Sequence, residues 1–205
     1  MSTSRPYRSA LREQQAERTR ALIASAARAR FLEKGWSGTS VRSVAAGAGV
    51  SEATVYNAYG SKAGLASSLI DAAEQSADVR RAVDELQHHA GDPVAQLRAF
   101  VAFDRRLFEL GGDVIRVVAE ARRHHPELGA AYEEGRYRGE TERAKVFSSW
   151  PGRVWRPDVD VEKALAVYVL VVSLQSYDVA TGDRGWSPDE VEQWWHGTLV
   201  ELLMA

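Results

Sequence analysis

Signals that begin and end α-helices recur along almost the whole 205-residue chain and leave little room for other secondary structure. The clearest is Ser187-Pro188-Asp189-Glu190, a capping box with proline at the first helical position. Between such signals, apolar residues recur at spacings of three and four, the period of an amphipathic helix. The β-branched run at 167–172 is typical of a strand, but helical signals extend on both sides of it. The pattern predicts an all-α fold of about nine helices, at residues 13–34, 40–47, 52–59, from 62 onward, 93–110, 113–125, 127–149, 161–180 and 188–204.

Two short predicted helices lie close together near the N-terminus and are joined by a glycine. The first follows the N-cap candidate Ser40, and the second follows Ser51. Gly49 suits the tight turn between them because glycine readily takes a positive φ angle. This arrangement predicts a helix-turn-helix, whose second helix places its N-terminal side chains in the DNA major groove.

The charge of the chain is divided unevenly along its length. Residues 1–62 hold ten basic and four acidic residues, which gives +6, whereas residues 63–205 hold 16 basic and 24 acidic residues, which gives −8. The net charge of −2 hides this asymmetry. A basic head on an acidic body indicates that the head binds a polyanion.

Composition excludes several other classes of protein. The chain has no cysteine, so disulfides, thiolate zinc sites, iron–sulfur clusters and a cysteine nucleophile are excluded. The first 20 residues contain no apolar h-region, and the longest apolar stretch, 164–174, is too short to cross a bilayer. We therefore expect a soluble, cytoplasmic protein with no membrane partner.

The run FLEKGWSGTSVRSVAAGAGVSEATVYNAYGSKAGL at 31–65 resembles the DNA-binding head of the tetracycline-repressor (TetR/AcrR) family of bacterial regulators. The resemblance implies a three-helix DNA-binding domain at 1–62 and a helical effector-binding and dimerisation domain at 63–205. Two positions depart from the family pattern. Ala58 stands where histidine is frequent, and Asn57 stands where an aromatic residue is frequent. The shared positions are Phe31, Gly35, Thr39, Val41, Val44, Ala45, Ala48, Gly49, Val50, Ser51, Thr54, Tyr56, Tyr59, Ser61, Lys62 and Leu65.

The residues that we expect to contact DNA lie on the two short helices and their caps. The resemblance implies that Tyr56 and Lys62 hold phosphates and that Thr54 and its neighbours approach bases. Asn57 could read adenine through two hydrogen bonds, which would make the base preference of this chain its own. The full set is Thr39, Ser40, Arg42, Ser51, Glu52, Ala53, Thr54, Tyr56, Asn57 and Lys62.

Several of these candidates have a plainer interpretation. Thr39 and Ser51 could be caps only, and Arg42 could be a solvated charge. Glu52 would repel DNA unless it accepts from a cytosine amino group. Ahead of the first predicted helix, Arg5, Arg8 and Arg12 could enter the minor groove or belong to a disordered tail.

The body offers candidates for a dimer interface and for an effector site, with core packing as the alternative for both. By resemblance, the last two helices of each subunit form a four-helix bundle through Leu165, Val169, Val172, Trp194, Trp195, Thr198 and Leu202. Trp194 and Trp195 are adjacent and cannot face the same way. The candidates for a small-molecule site are Phe103, Arg116, Tyr137, Trp150, Tyr168 and Gln175.

The sequence predicts a sequence-specific, ligand-responsive DNA-binding transcriptional regulator, with a repressor released from a palindromic operator as the favoured form. It contains no GxSxG, HExxH, GxGxxG or P-loop pattern, so we predict no enzymatic activity and no cofactor. Glu120 and His124 lie one turn apart but lack a third ligand, so we predict no metal site. The alternatives are an all-helical small-molecule-binding protein or enzyme with a non-functional head, and a DNA-binding protein with no effector.

Overall fold

The computed structural model describes the backbone of residues 5–205 and the side chains of 11–130 and 132–205. It has an all-α fold with an N-terminal helix-turn-helix, as predicted, and within the described residues β pairing is limited to one bridge between Trp155 and Met204. A 3-10 turn covers Gly152–Val154, and a π-helical turn covers Val179–Asp183. The helices are α1 (Arg5–Lys34), α2 (Val41–Ala48), α3 (Glu52–Tyr59), α4 (Lys62–Ser76), α5 (Val79–His88), α6 (Pro93–Ala121), α7 (Pro126–Ser148), α8 (Val161–Val171), α9 (Leu174–Asp178) and α10 (Pro188–Leu203).

Helix α1 is longer than its apolar pattern indicates. The pattern predicts a start near residue 13, whereas the helix begins at Arg5, so the basic segment ahead of residue 13 continues the helix. The side chains of Arg5 and Arg8 lie outside the described residues. Arg12 is exposed on the helix surface.

The head does not have an apolar core of its own. Ile23, Phe31 and Val55 pack in one cluster with Leu65 of α4 and with Val114 of α6. The cluster therefore crosses the proposed boundary between residues 62 and 63. That boundary separates two proposed functions but not two independent cores.

Gly111 and Gly112 do not end a helix, and here the sequence-based prediction was wrong. Both glycines are buried inside the continuous helix α6. A Cβ atom added to Gly111 would lie 2.3 Å from the Cβ of Ala73 on α4. The glycine is therefore required for the close approach of α4 to α6, which is a tertiary constraint that helix-stop rules do not include.

The predicted helix at 161–180 is divided into two. Val172 leaves the helical conformation, and Ser173 then caps α9 through a capping box with Ser176. By length and composition alone, Val161–Asp183 could cross a membrane, and 28% of its most apolar 18-residue window is buried. The break and this exposure leave an apolar surface on the outside of the body.

The core of the body is an aromatic cluster with polar groups inside it. Phe147, Trp150 and Tyr168 pack together, and the fully buried Trp195 belongs to the same cluster. Asp104 is 4% exposed and accepts hydrogen bonds from Arg143 at 2.5 Å and from the Tyr168 hydroxyl at 2.7 Å. Burial first, and the Asp104 carboxylate second, raise the pKa of Tyr168 well above its usual value. This network joins α6, α7 and α8.

Candidate nucleic-acid interface

The turn between α2 and α3 is built by its caps. Ser40 accepts from the Ser43 N–H at the start of α2, and Ser51 accepts from the Thr54 N–H at the start of α3. Gly49 ends α2 with a φ of 68°, in the left-handed region that favours glycine. Two short helices are thereby held at a fixed angle by local hydrogen bonds.

Helix α3 leaves part of its surface open to solvent. Val55 is its one buried residue, and it anchors the helix in the core. Tyr56 is 48% exposed, and Ala53 and Asn57 are exposed beside it. Thr54 is partly buried and its hydroxyl lies 2.8 Å from that of Ser51. These residues lie at the N-terminal part of the second helix, which is the part that reads the major groove in helix-turn-helix proteins.

Arg42 and Glu52 form an ion pair across this surface. Arg42 Nε donates to Glu52 Oε1 at 3.0 Å, which links the first turn of α2 to the first residue of α3. The sequence does not predict this pairing, because ten positions and a turn separate the two residues. Ser40, the N-cap of α2 and two positions before Arg42, is also exposed.

Thr39 is a correction to the candidate set. It is 3% exposed, and its hydroxyl donates to the carbonyls of Arg30 and Gly35 within the turn after α1. Ser40, one residue later, is the N-cap of α2. The Thr39 side chain therefore holds the α1–α2 turn and is not offered to DNA.

Lys62 lies in a more constrained position than the sequence predicts. Its ammonium donates to the carbonyl oxygens of Trp36 and Thr39, both at 2.9 Å, and lies 4.1 Å from the centre of the Trp36 ring. Desolvation lowers the pKa of Lys62, with Glu127 acting in the opposite direction. An ammonium has three N–H groups, so at most one remains for a phosphate. In this structure, Lys62 joins the start of α4 to the turn between α1 and α2.

Trp36 was not among the predicted site residues. It is buried, stacks on Phe31 with ring centres 5.4 Å apart, and meets the His125 ring edge-on at 5.9 Å. Since His125 lies at the start of α7, this contact joins head and body. A second link is the bidentate bond of Arg28 on α1 to Asp113 on α6, at 2.8 to 2.9 Å. Partners 85 or more positions apart leave no local signal in the sequence.

The six candidates for an effector site do not converge on one place. Trp150 and Tyr168 lie in the packed aromatic core, whereas Tyr137 is 72% exposed. Arg116 pairs with Asp178 at 2.6 Å. Gln175 is exposed, and Phe103 is partly buried. Their apolar or polar character was visible in the sequence, but their positions relative to one another were not.

The candidates for a dimer interface divide in a similar way. Trp195 is fully buried and Val172 is 6% exposed, so both serve the core of one subunit, and we remove them from the proposed interface. Leu165, Val169 and Thr198 are partly buried. Trp194 is 45% exposed and Leu202 is 49% exposed. Leu170 of α8, which the sequence analysis did not select, is 77% exposed.

A capped helix-turn-helix with a partly exposed second helix, at the basic end of the chain, is the arrangement typical of DNA-binding proteins. Residues 23–69 match the family described as bacterial regulatory proteins, tetR family. The match covers the head only; beyond it, the chain is similar in fold to solved TetR-family transcriptional regulators. No curated protein sequence matches the chain.

Three solved structures illustrate the likeness in fold. NalD, the secondary repressor of the MexAB-OprM multidrug efflux pump in Pseudomonas aeruginosa, is 20% identical, with 93% of this chain and 98% of that chain covered and a TM-score of 0.70. A transcriptional regulator from Saccharomonospora viridis, in complex with choline, is 21% identical over 91% and 97%, with a TM-score of 0.69. PfmR, a TetR-family regulator from Thermus thermophilus, is 22% identical over 89% and 99%, with a TM-score of 0.63.

Proposed function

We propose that this protein is a cytoplasmic, homodimeric transcriptional repressor that binds a palindromic operator and leaves it when a small molecule binds the body. It has no enzymatic role. The observation that carries the proposal is the exposed surface of α3, where Tyr56 and Asn57 lie near the basic end of the chain. A regulator of transcription needs such a surface, and an enzyme of the body alone does not.

The dimer is supported by the apolar surface of the body. Leu170 and Leu202 are large apolar side chains that lose contact with water only if another surface covers them. Trp194 is exposed on the same terminal helix as Leu202, and it meets Trp186 edge-on at 5.9 Å. Two heads that bind adjacent major grooves must lie about 34–36 Å apart, and a two-fold axis between them would make the operator palindromic.

The release mechanism is supported by the links between head and body. Arg28–Asp113, Trp36–His125 and the shared apolar cluster tie α1 and the α1–α2 turn to α6 and α7. A ligand that favours another arrangement of α6 and α7 would change the spacing of the heads. The free energy of operator binding would weaken by the difference between the ligand's binding free energies for the two arrangements. This coupling is commonly about 1–3 kcal/mol.

DNA binding is tested by selecting bound sequences from a random 30-bp pool with the full-length protein, followed by gel shifts. We expect one palindromic sequence and its recovery upstream of a bacterial gene. Tyr56→Phe should weaken binding to all sequences about equally, because a phosphate contact carries no base information. An unselected pool after repeated rounds, at salt concentrations where the protein stays folded, would count against the proposal.

Dimerisation is tested by sedimentation equilibrium of the wild type and of Leu170→Glu. We expect a dimer that the substitution weakens, because a carboxylate would have to be desolvated at the interface. Val83→Glu is the matched control, since Val83 is also exposed but lies on α5, outside the two helices of the proposed interface. A wild type that stays monomeric at tens of micromolar would contradict the proposed assembly.

A regulator without an effector is the second candidate, favoured by the packing of Trp150 and Tyr168 in the core. The two candidates are separated by gel shifts on the selected operator in the presence of a panel of amphipathic and quaternary-ammonium compounds, choline included. The choline complex of the Saccharomonospora viridis protein motivates that choice. Release by one compound, with a matching rise in melting temperature, would establish the ligand-responsive form.

A further inference from the structure

We propose that the ion pair between Arg42 and Glu52 increases the sequence specificity of the head. The pair lowers the affinity for random DNA, and its two side chains separate only on the operator sequence. The inference rests on the proposed DNA-binding function and adds a role for two residues within it. Its starting point is a contact on the exposed face of the helix-turn-helix, at 3.0 Å between Arg42 Nε and Glu52 Oε1.

The pair lies at the N-terminal end of α3. Glu52 is the first residue of α3, and the free N–H groups at a helix N-terminus attract anions. Its carboxylate therefore competes with DNA phosphates for that end of the recognition helix. Arg42, in the first turn of α2, holds the carboxylate there.

The charges of the two helices reinforce this effect. Arg42 is the one basic residue and Glu52 the one acidic residue within α2 and α3. Together, α2 and α3 therefore carry no net charge. The net charge of +6 in residues 1–62 comes from residues outside these two helices. Random DNA is bound mainly through phosphates, so the pairing of Arg42 with Glu52 removes one cation from that type of binding.

The pair can open at low cost on the correct site. The Arg42 side chain is 85% exposed and that of Glu52 is 43% exposed, and exposed ion pairs contribute about 0–1 kcal/mol. A carboxylate can accept a hydrogen bond from a cytosine amino group in the major groove. Where the sequence supplies that donor, Glu52 becomes a favourable contact and Arg42 is free to bind a phosphate. Where it does not, the repulsion stays.

The test measures the affinity of the full-length protein for two duplexes by fluorescence anisotropy, over a series of salt concentrations. One duplex has the selected operator sequence and the other has a random 30-bp sequence. The variants are Arg42→Ala, Glu52→Ala, Glu52→Gln and the double variant of Arg42→Ala with Glu52→Ala. Glu33→Ala is the matched control, because it also removes an acidic partner of an arginine in the head, Arg30, at 3.0 Å.

Glu52→Ala and Glu52→Gln should bind random DNA about three- to tenfold more tightly than the wild type. The slope of log affinity against log salt should steepen by about 0.9, because the freed Arg42 adds one phosphate contact. The ratio of operator to random affinity should fall. In the Arg42→Ala background the removal of Glu52 should have a smaller effect and should leave the salt slope unchanged.

Three results would overturn the inference. One is an unchanged affinity of both Glu52 variants for random DNA. Another is an equal gain in the presence and absence of Arg42, which would mean simple repulsion by Glu52 without a role for the pair. The third is an equal gain for Glu33→Ala, which would mean a general charge effect. A wild type that binds neither duplex would instead refute the proposed function itself, so the two failures are distinguishable.

Discussion

Replacement of Gly111 by alanine should destabilise the protein, although the same replacement stabilises most helix interiors. In an open position, Gly→Ala in a helix gains up to about 1 kcal/mol. At Gly111 the new Cβ would lie 2.3 Å from the Cβ of Ala73, and apolar carbon atoms pack at about 3.5–4.0 Å. Helices α4 and α6 would therefore have to separate locally by more than about 1 Å.

The cost of that separation can be estimated from overpacked cores. Forcing an extra carbon into a packed interface costs about 1–3 kcal/mol, and a gap of about 1 Å also removes part of the dispersion energy along both helices. After subtraction of the gain in helix propensity, we expect Gly111→Ala to lower the free energy of unfolding by about 1–2 kcal/mol. In a chain of this size each kcal/mol corresponds to a melting temperature shift of about 2–4 °C.

The assay is urea denaturation followed by circular dichroism at 222 nm, with all variants at one protein concentration because a dimer is stabilised by mass action. Gly135→Ala in α7 is the control, since nothing lies within 4 Å of a Cβ added there, and it should be neutral or stabilising. Adding Ala73→Gly to Gly111→Ala should recover part of the loss. A Gly111→Ala protein as stable as the Gly135→Ala protein would refute the reasoning.

Two further predictions concern charged groups in the body. Desolvation raises the pKa of the Glu74 carboxyl, and the charge of Arg138 acts in the opposite direction. The group therefore favours folding below its unfolded pKa and loses that contribution as the pH rises through its folded pKa. Glu74→Gln should therefore raise the urea midpoint more at pH 7.5 than at pH 4, and an equal change at both pH values would contradict the assignment. Asp104→Ala should lower the free energy of unfolding by about 3 kcal/mol, because it leaves the Arg143 guanidinium buried without its carboxylate. Equilibrium denaturation at pH 7.5 checks this, and a loss below about 1 kcal/mol would mean that Arg143 finds water or another acceptor.

The candidate site was predictable where its residues are close in sequence. Tyr56 and Asn57 are exposed, as the pattern of α3 indicates, because an eight-residue helix with one buried valine has few ways to face the core. Lys62 was harder, because its ammonium binds carbonyl groups 23 and 26 positions away. Adjacent positions such as Trp194 and Trp195 had to face opposite ways, but only packing decided which one is buried.

By itself, the sequence determined the helical class, the turn between α2 and α3 and the basic character of the head. These depend on helix periodicity, on caps such as Ser40 and Ser51 and on the positive φ of Gly49, which all act within a few residues. Only the tertiary structure decided that α6 continues through Gly111 and that Arg28 joins Asp113. Those outcomes depend on which surfaces meet across the fold, and neighbours in the chain carry no information about groups that lie next to them only after folding.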